Sequence, residues 1–178
     1  MKKPTPFLTE RQIAKRVKEL GETIARDHKG KGLACIGVLK GSFVFFADLI
    51  RNIDLPVTVD FLGTTSYGQQ TRSSGDVKIT LDLSVPITGK HVLLVEDIVD
   101  TGHTLHYLLE NLRLRKPASL RLCVLLLKPG KLLKPVPIDY LGFTIDDRFV
   151  VGYGLDARER YRNLPYIAEL PESAREEE

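Results

Sequence analysis

Three strand-sized apolar runs constrain this chain most: 33–39, with Cys35, Ile36 and Val38, then 91–95, then 120–127. Each is apolar nearly throughout rather than at alternate positions, so strands made of them must be covered on both faces. Helical patterns stand between them. Ile13, Val17, Leu20 and Ile24 recur at helical spacing behind Thr9, and Gln12 completes a capping box with that threonine. Phe43 to Arg51 predicts a second helix after the turn Lys40-Gly41-Ser42. Leu105, Leu108, Leu109 and Leu112 lay one apolar stripe on a third helix over 104–115. Buried strands alternating with helices predict an α/β fold with a mostly parallel central sheet flanked by helices.

Two segments read differently. Val57, Val59 and Phe61 alternate with Thr58 and Asp60, and Val77, Ile79 and Leu81 alternate with Lys78, Thr80 and Asp82. That period of two predicts half-buried strands. They are joined by 63–76, rich in Gly, Ser, Thr and Gln, and together they predict an antiparallel pair carrying a mobile flap. Further strands are expected at 138–143 and 149–153, and a frayed tail at 172–178. With no internal repeat and no linker, 178 residues are expected to form one domain, 1–178.

The balance of 26 basic and 23 acidic residues, net +3, offers no bulk positive field for nucleic acid. A small anionic ligand needs only a few local cations. Cys35 and Cys123 lie inside apolar runs and read as two buried thiols, not a metal knuckle or a disulfide framework. The longest apolar runs are too short to span a membrane. Met1-Lys2-Lys3-Pro4 is followed by no long apolar segment, so a cytoplasmic chain is expected, with neither nucleic acid nor membrane as a partner.

The chemistry concentrates in Val92-Leu93-Leu94-Val95-Glu96-Asp97-Ile98-Val99-Asp100-Thr101-Gly102-His103-Thr104. A buried strand runs into two adjacent carboxylates, then into a small-residue turn, then into a helix. In open α/β sheets, ligands bind beyond the carboxyl ends of the strands. Gly102 lets the backbone approach an anion, Thr101 and Thr104 offer hydroxyls, and a helix start offers free N–H groups and a favourable dipole. Glu96 and Asp97 bring only acceptor oxygens, which suit two ribose hydroxyls or a magnesium ion that keeps several waters. Anion cradle and hydroxyl or metal clamp together describe a ribose phosphate site. Neither a three-glycine dinucleotide fingerprint nor a Gly-Lys-Ser/Thr phosphate loop is present.

This segment resembles the phosphoribosyl diphosphate signature of the type I phosphoribosyltransferases. Four more segments, Leu39-Lys40-Gly41-Ser42, Ser66-Tyr67-Gly68, Leu127-Lys128, and Phe149 to Asp156 running on to Arg162, narrow the resemblance to the hypoxanthine-guanine phosphoribosyltransferases. The resemblance implies that fold with a small hood shaping a base pocket, and transfer of a phosphoribosyl group to hypoxanthine or guanine with release of pyrophosphate. It implies Asp100 as general base. It implies Lys128, Phe149, Val150 and Asp156 at the purine: Lys128 donating to the exocyclic oxygen, Phe149 stacking, Val150 reading through its backbone.

For the sugar phosphate the resemblance implies Glu96, Asp97, Asp100, Thr101, Gly102, His103 and Thr104, although His103 stands where many relatives carry lysine. For the diphosphate it implies Lys40, Gly41 and Arg162, with a peptide between Leu39 and Lys40 that is often cis in the family. Ser66 and Tyr67 would tip the flap. Magnesium would be the cofactor, with Glu96, Asp97 and Asp156 as its carboxylates, and the enzyme would be a homo-oligomer, a dimer or tetramer. A xanthine-preferring enzyme stays open as an alternative. So does a non-catalytic regulator that binds phosphoribosyl diphosphate.

Overall fold

Thr9 starts the first helix, α1 (Glu10–Asp27), by the reciprocal bonds its sequence promises: the Gln12 N–H donates to Thr9 Oγ1 at 3.3 Å, and the Thr9 N–H donates to Gln12 Oε1 at 2.9 Å. The computed structural model describes residues 4–66 and 77–171. Beyond α1 the chain runs β2 (Leu33–Leu39), α2 (Phe43–Arg51), β3 (Val57–Ser66), β4 (Val77–Leu81), β5 (His91–Val99), α3 (His103–Leu114), β6 (Ser119–Leu127), a 3₁₀ turn (Pro129–Lys131) and β7 (Tyr140–Thr144). Three short strands complete it: β1 (Pro6–Leu8), β8 (Val150–Val151) and β9 (Ile167–Glu169).

Among the described residues, six strands form one sheet in the order β4-β3-β2-β5-β6-β7. Every pairing in it is parallel except β3 with β4. The expected antiparallel pair is therefore present, with Thr64 opposite Ile79 and Thr65 opposite Lys78. Most of the expected flap, including Tyr67, lies outside the described residues, as does the tail at 172–178.

Both faces of the sheet are covered. On one, Ile13, Val17, Leu20 and Ile24 of α1 and Phe45, Phe46 and Leu49 of α2 pack against Leu33, Cys35, Leu93, Val95 and Cys123. On the other, Leu105, Leu108, Leu109 and Leu112 of α3 meet Ala34, Ile36, Val92, Leu94 and Val124. Leu108 and Leu112 are fully buried, and burying one such leucine is worth ~1.5–3 kcal/mol. Covering from both sides is why the strand runs carry no alternation.

Two expectations need correction. The strand read as 91–95 continues to Val99, through the acidic doublet rather than up to it. The strand read as 149–153 is only Val150–Val151, and it joins β9 and β1 in a separate three-stranded sheet, order β1-β9-β8. Val151 pairs with Ala168, and Pro6 pairs with the same residue from the other side. The hood is thus built from two distant parts of the chain.

Candidate active site

The order of strands reverses direction between β2 and β5. The chain leaves β2 through α2 toward β3, and leaves β5 through α3 toward β6, which lies on the opposite side. A crevice opens at the carboxyl ends of two strands that depart in opposite directions. Both ends carry candidate residues: Lys40 and Gly41 after β2, and Glu96 to Thr104 around the end of β5.

At the end of β2 the Leu39–Lys40 peptide is cis. Ser42, fully buried, closes the turn by donating its hydroxyl to the Val38 carbonyl at 2.6 Å. Gly41 is pressed directly against the Asp97 carboxylate: a β-carbon there would overlap Asp97 Oδ2 and lie 2.7 Å from its Cγ. Only a residue without a side chain allows that approach.

The acidic doublet sits where the pleat of β5 slips by one residue. Val95 and Ile98 both pack into the core under α1 and α2, and Leu94 and Val99 both pack into the core under α3. Strict alternation would send the members of each pair to opposite faces. In β6, Leu125 and Leu126 both join the first core, so the two strands slip together and their register is kept, with Glu96 opposite Val124 and Ile98 opposite Leu126. Within this irregular stretch the charge of Asp97 acts on the Glu96 carboxyl.

Asp97, 8 % exposed, takes the Ile98 N–H on Oδ1 at 2.8 Å. Burial pushes its carboxyl up to about 6, against its backbone hydrogen bonds and the opposing pull of Arg162. Glu96 is pushed up too, first by burial and then by the charge of Asp97. Its Oε2 is buried without a hydrogen-bond partner.

Asp100 follows the strand and leaves Oδ1 buried and unpartnered, while Oδ2 lies 4.0 Å from Lys128 Nζ. Lys128, 7 % exposed, also lies 3.8 Å from Asp147, which pairs with Lys131 at 3.0 Å. The Lys128 N–H donates to the Val99 carbonyl at 3.0 Å, which ties the end of β6 to the end of β5. Asp100 is not a helix cap. The N-cap of α3 is Gly102, at φ 82, which brings no capping side chain, so no side chain at the N-cap takes the first-turn N–H groups. The Thr101 carbonyl accepts from Leu133 N at 2.9 Å and Lys134 N at 3.0 Å, so the segment after β6 backs this turn.

The hood supplies the rest. Val150 is buried in β8, and Phe149 beside it keeps 36 % of its surface exposed, with its carbonyl taken by the Leu170 N–H at 2.9 Å. Arg162 reaches Asp156 Oδ1 at 2.9 Å, Glu159 Oε2 at 3.1 Å and the Gly154 carbonyl at 2.8 Å. Asp156 Oδ2 accepts the Glu159 N–H at 2.8 Å. Lys40 Nζ crosses to Glu159 Oε1 at 3.0 Å.

The structure therefore gathers two groups: Asp100 with Lys128, and Lys40, Gly41, Asp97, Asp156 and Arg162. Glu159 and Asp147 were not expected. Glu159 sits in the run Arg158-Glu159-Arg160, which reads as a solvated face, and Asp147 in an equally polar stretch. Of the flap residues, the backbone of Ser66 ends β3 opposite Val77.

The donor set bears on whether a divalent cation fits here. Among the described residues no three His, Cys, Asp or Glu side chains form a metal-holding group. Magnesium keeps several waters and takes one or two carboxylates together with substrate phosphates. The orphaned Glu96 oxygen and the buried Asp97 carboxyl fit such an ion or a pair of hydroxyl donors.

Known proteins resemble this chain along most of its length. Residues 6–158 match the family described as "Phosphoribosyl transferase domain". The hypoxanthine-guanine phosphoribosyltransferase of Dictyostelium discoideum is 51% identical over 170 residues, 93% of this chain and 94% of that one. The enzyme of the same name from Bacillus subtilis is 47% identical over 164 residues, 92% and 91% of the two chains. A crystal structure of a Bacillus anthracis hypoxanthine-guanine phosphoribosyltransferase superposes with a TM-score of 0.89 at 48% identity, covering 94% of this chain and 98% of that one. The fold, the crevice and these relatives together establish that the chain belongs to the phosphoribosyltransferase family, in its hypoxanthine-guanine phosphoribosyltransferase branch.

Proposed function

We propose that this protein, a single domain over 1–178, moves the phosphoribosyl group of phosphoribosyl diphosphate onto hypoxanthine or guanine, a purine salvage reaction releasing pyrophosphate. The observation that carries this reading is Asp100, whose Oδ1 is buried and unpartnered while its Oδ2 lies 4.0 Å from Lys128 Nζ. An acceptor left open next to a buried ammonium suits a planar ligand that offers a ring N–H and an oxygen on adjacent edges, as an oxopurine does.

The sugar phosphate rests on the loop from Asp100 to Thr104, with the first-turn N–H groups of α3 donating to the phosphate. Glu96 and Asp97 take the ribose hydroxyls or the water shell of the ion. Lys40, the Gly41 backbone and Arg162 hold the diphosphate. Phe149 stacks on the purine and Val150 reads it through the backbone. As the bond from the anomeric carbon to the diphosphate breaks and one imidazole nitrogen of the purine bonds to that carbon, Asp100 takes the proton of the other imidazole nitrogen, the one beside the exocyclic oxygen, so that a neutral nucleotide base results. Its charge also faces the positive character that develops on the sugar.

Lys128 donates to the exocyclic oxygen, where an amino group in its place would present only further donors. Magnesium, when bound, neutralises charge on the departing diphosphate. Asp156, joined here to Arg162 and Glu159, would hold a second ion. The strands β3 and β4 would carry the flap, with Ser66 and Tyr67 at its tip, excluding water from the reacting sugar.

No helix among the described residues is long and apolar enough to cross a membrane. A cytoplasmic homo-oligomer is the setting we infer. The test is to incubate the protein with magnesium, phosphoribosyl diphosphate and each nucleobase in turn, and to identify the nucleotide formed. IMP or GMP is expected, and no AMP. Failure to form nucleotide from any oxopurine would refute the reading.

A further inference from the structure

Lys40 and Arg162 come from opposite sides of the crevice, one after β2 and the other from the hood. A single carboxylate joins them. Glu159 Oε1 is 3.0 Å from Lys40 Nζ, and Glu159 Oε2 is 3.1 Å from Arg162 Nη2. Each oxygen of Glu159 thus serves one of the two cations that a diphosphate would use. The backbone is shaped for this. Arg158, Glu159 and Tyr161 all lie at left-handed φ, 51°, 62° and 74°, which non-glycine residues rarely adopt outside functional loops. Ala157 and Arg160 bridge each other, and Asp156 holds the Glu159 N–H at 2.8 Å. The loop is fastened so that the Glu159 side chain projects toward Lys40.

We propose that Glu159 is a built-in competitor that stands in for the diphosphate. It occupies Lys40 and Arg162 while the site is open, and must yield them when the diphosphate arrives. The inference rests on the assignment of Lys40 and Arg162 to the diphosphate.

The strengths involved suit a placeholder. Lys40 and Glu159 are 68% and 65% exposed on their side chains, so the pair is weak and readily exchanged. Arg162 is 19% exposed and keeps two further partners, Asp156 and the Gly154 carbonyl, so it stays oriented when Glu159 leaves. The two cations also hold the Glu159 carboxyl below its usual range, Lys40 first, and so keep it anionic. In the reverse sense, Glu159 returns to the cations as pyrophosphate departs. It competes with product rebinding.

The test measures binding of magnesium pyrophosphate by titration calorimetry, and separate KM values for phosphoribosyl diphosphate and for the purine. With Glu159→Gln, pyrophosphate should bind about threefold to tenfold tighter, the scale expected from removing one carboxylate that pairs with both cations. KM for the donor should fall with it, and KM for the purine should hold. A structural role in the hood would instead disturb the purine, because Phe149 and Val150 share that hood.

Glu159→Asp keeps the charge but is too short to span both cations, and should shift pyrophosphate binding in the same direction. Unchanged or weaker pyrophosphate binding in either variant overturns the inference, as does a rise in purine KM. If the wild-type protein itself binds no pyrophosphate, the assignment of Lys40 and Arg162 fails first.

Discussion

Replacing Gly41 with alanine puts one methyl group into the place where the ends of β2 and β5 touch. The backbone at Gly41 does not have a left-handed φ, so alanine is tolerated conformationally and the effect is purely one of space. The new carbon would overlap Asp97 Oδ2 and lie 2.7 Å from Cγ and 3.4 Å from Oδ1. Asp97 is 8 % exposed and its Oδ1 is held by the Ile98 N–H at 2.8 Å, so it has little room to withdraw. Overpacking of this kind costs ~1–3 kcal/mol, and a domain of this size loses ~2–4 °C of Tm per kcal/mol.

If the carboxylate swings away instead, the stability loss is smaller but a group meant for the ribose or its ion is displaced. A misplacement of ~1 Å can cost ~10²-fold in rate. The expected outcome for Gly41→Ala is a folded protein with kcat/KM for the donor reduced by about two orders of magnitude and Tm lower by several degrees. Steady-state kinetics with varied donor and a thermal melt on the same preparation decide it. A variant equal to the wild type in both would show that the close contact between the two strand ends has no part in the site.

Three further expectations follow from other parts of the structure. Asp100→Asn should lower turnover by ~10²–10⁴-fold while equilibrium binding of the donor survives, and normal turnover would remove Asp100 as the base. Lys128→Gln should impair hypoxanthine and guanine and relax the rejection of adenine; unchanged ratios of kcat/KM across the three bases would end its role. Burial pushes the Cys35 thiol up to about 12 and raises Cys123 further, so neither should react with an alkylating reagent in the native protein at neutral pH, as mass spectrometry would read. Because both folded values lie above the unfolded ones, their contribution to stability is complete below pH 9.0 and declines as pH rises toward 12, a fall that replacing both cysteines with alanine should lessen.

The sequence exposes the central sheet because its strands satisfy one strong requirement, burial on both faces, and its helices carry visible stripes and a capping box. The cradle is legible for a similar reason: an acidic doublet, a glycine and two threonines beside a buried strand have few other uses. The hood is less legible. Three strands of two or three residues have no period to detect, and β1 pairs with β9 across nearly the whole chain. The end of β5 was misplaced because two carboxylates look like the edge of a buried strand, whereas Ile98 and Val99 return the chain to the core. Glu159 and Asp147 were hidden because a charged residue in a polar stretch looks the same whether it faces solvent or a neighbouring cation.

The shared slip of β5 and β6 separates the aim of the acidic doublet from the residues that would meet a ligand. Leu125 and Leu126 belong to the inner layer of a neighbouring strand, yet their consecutive insertion into one core is what lets β6 follow β5 through the irregularity. Both leucines are fully buried, so a polar substitution at either would put an unpartnered group into the core directly beside the strand that carries Glu96 and Asp97. Damage to such an enzyme can therefore originate in its hydrophobic interior, in positions that a survey of the crevice would pass over.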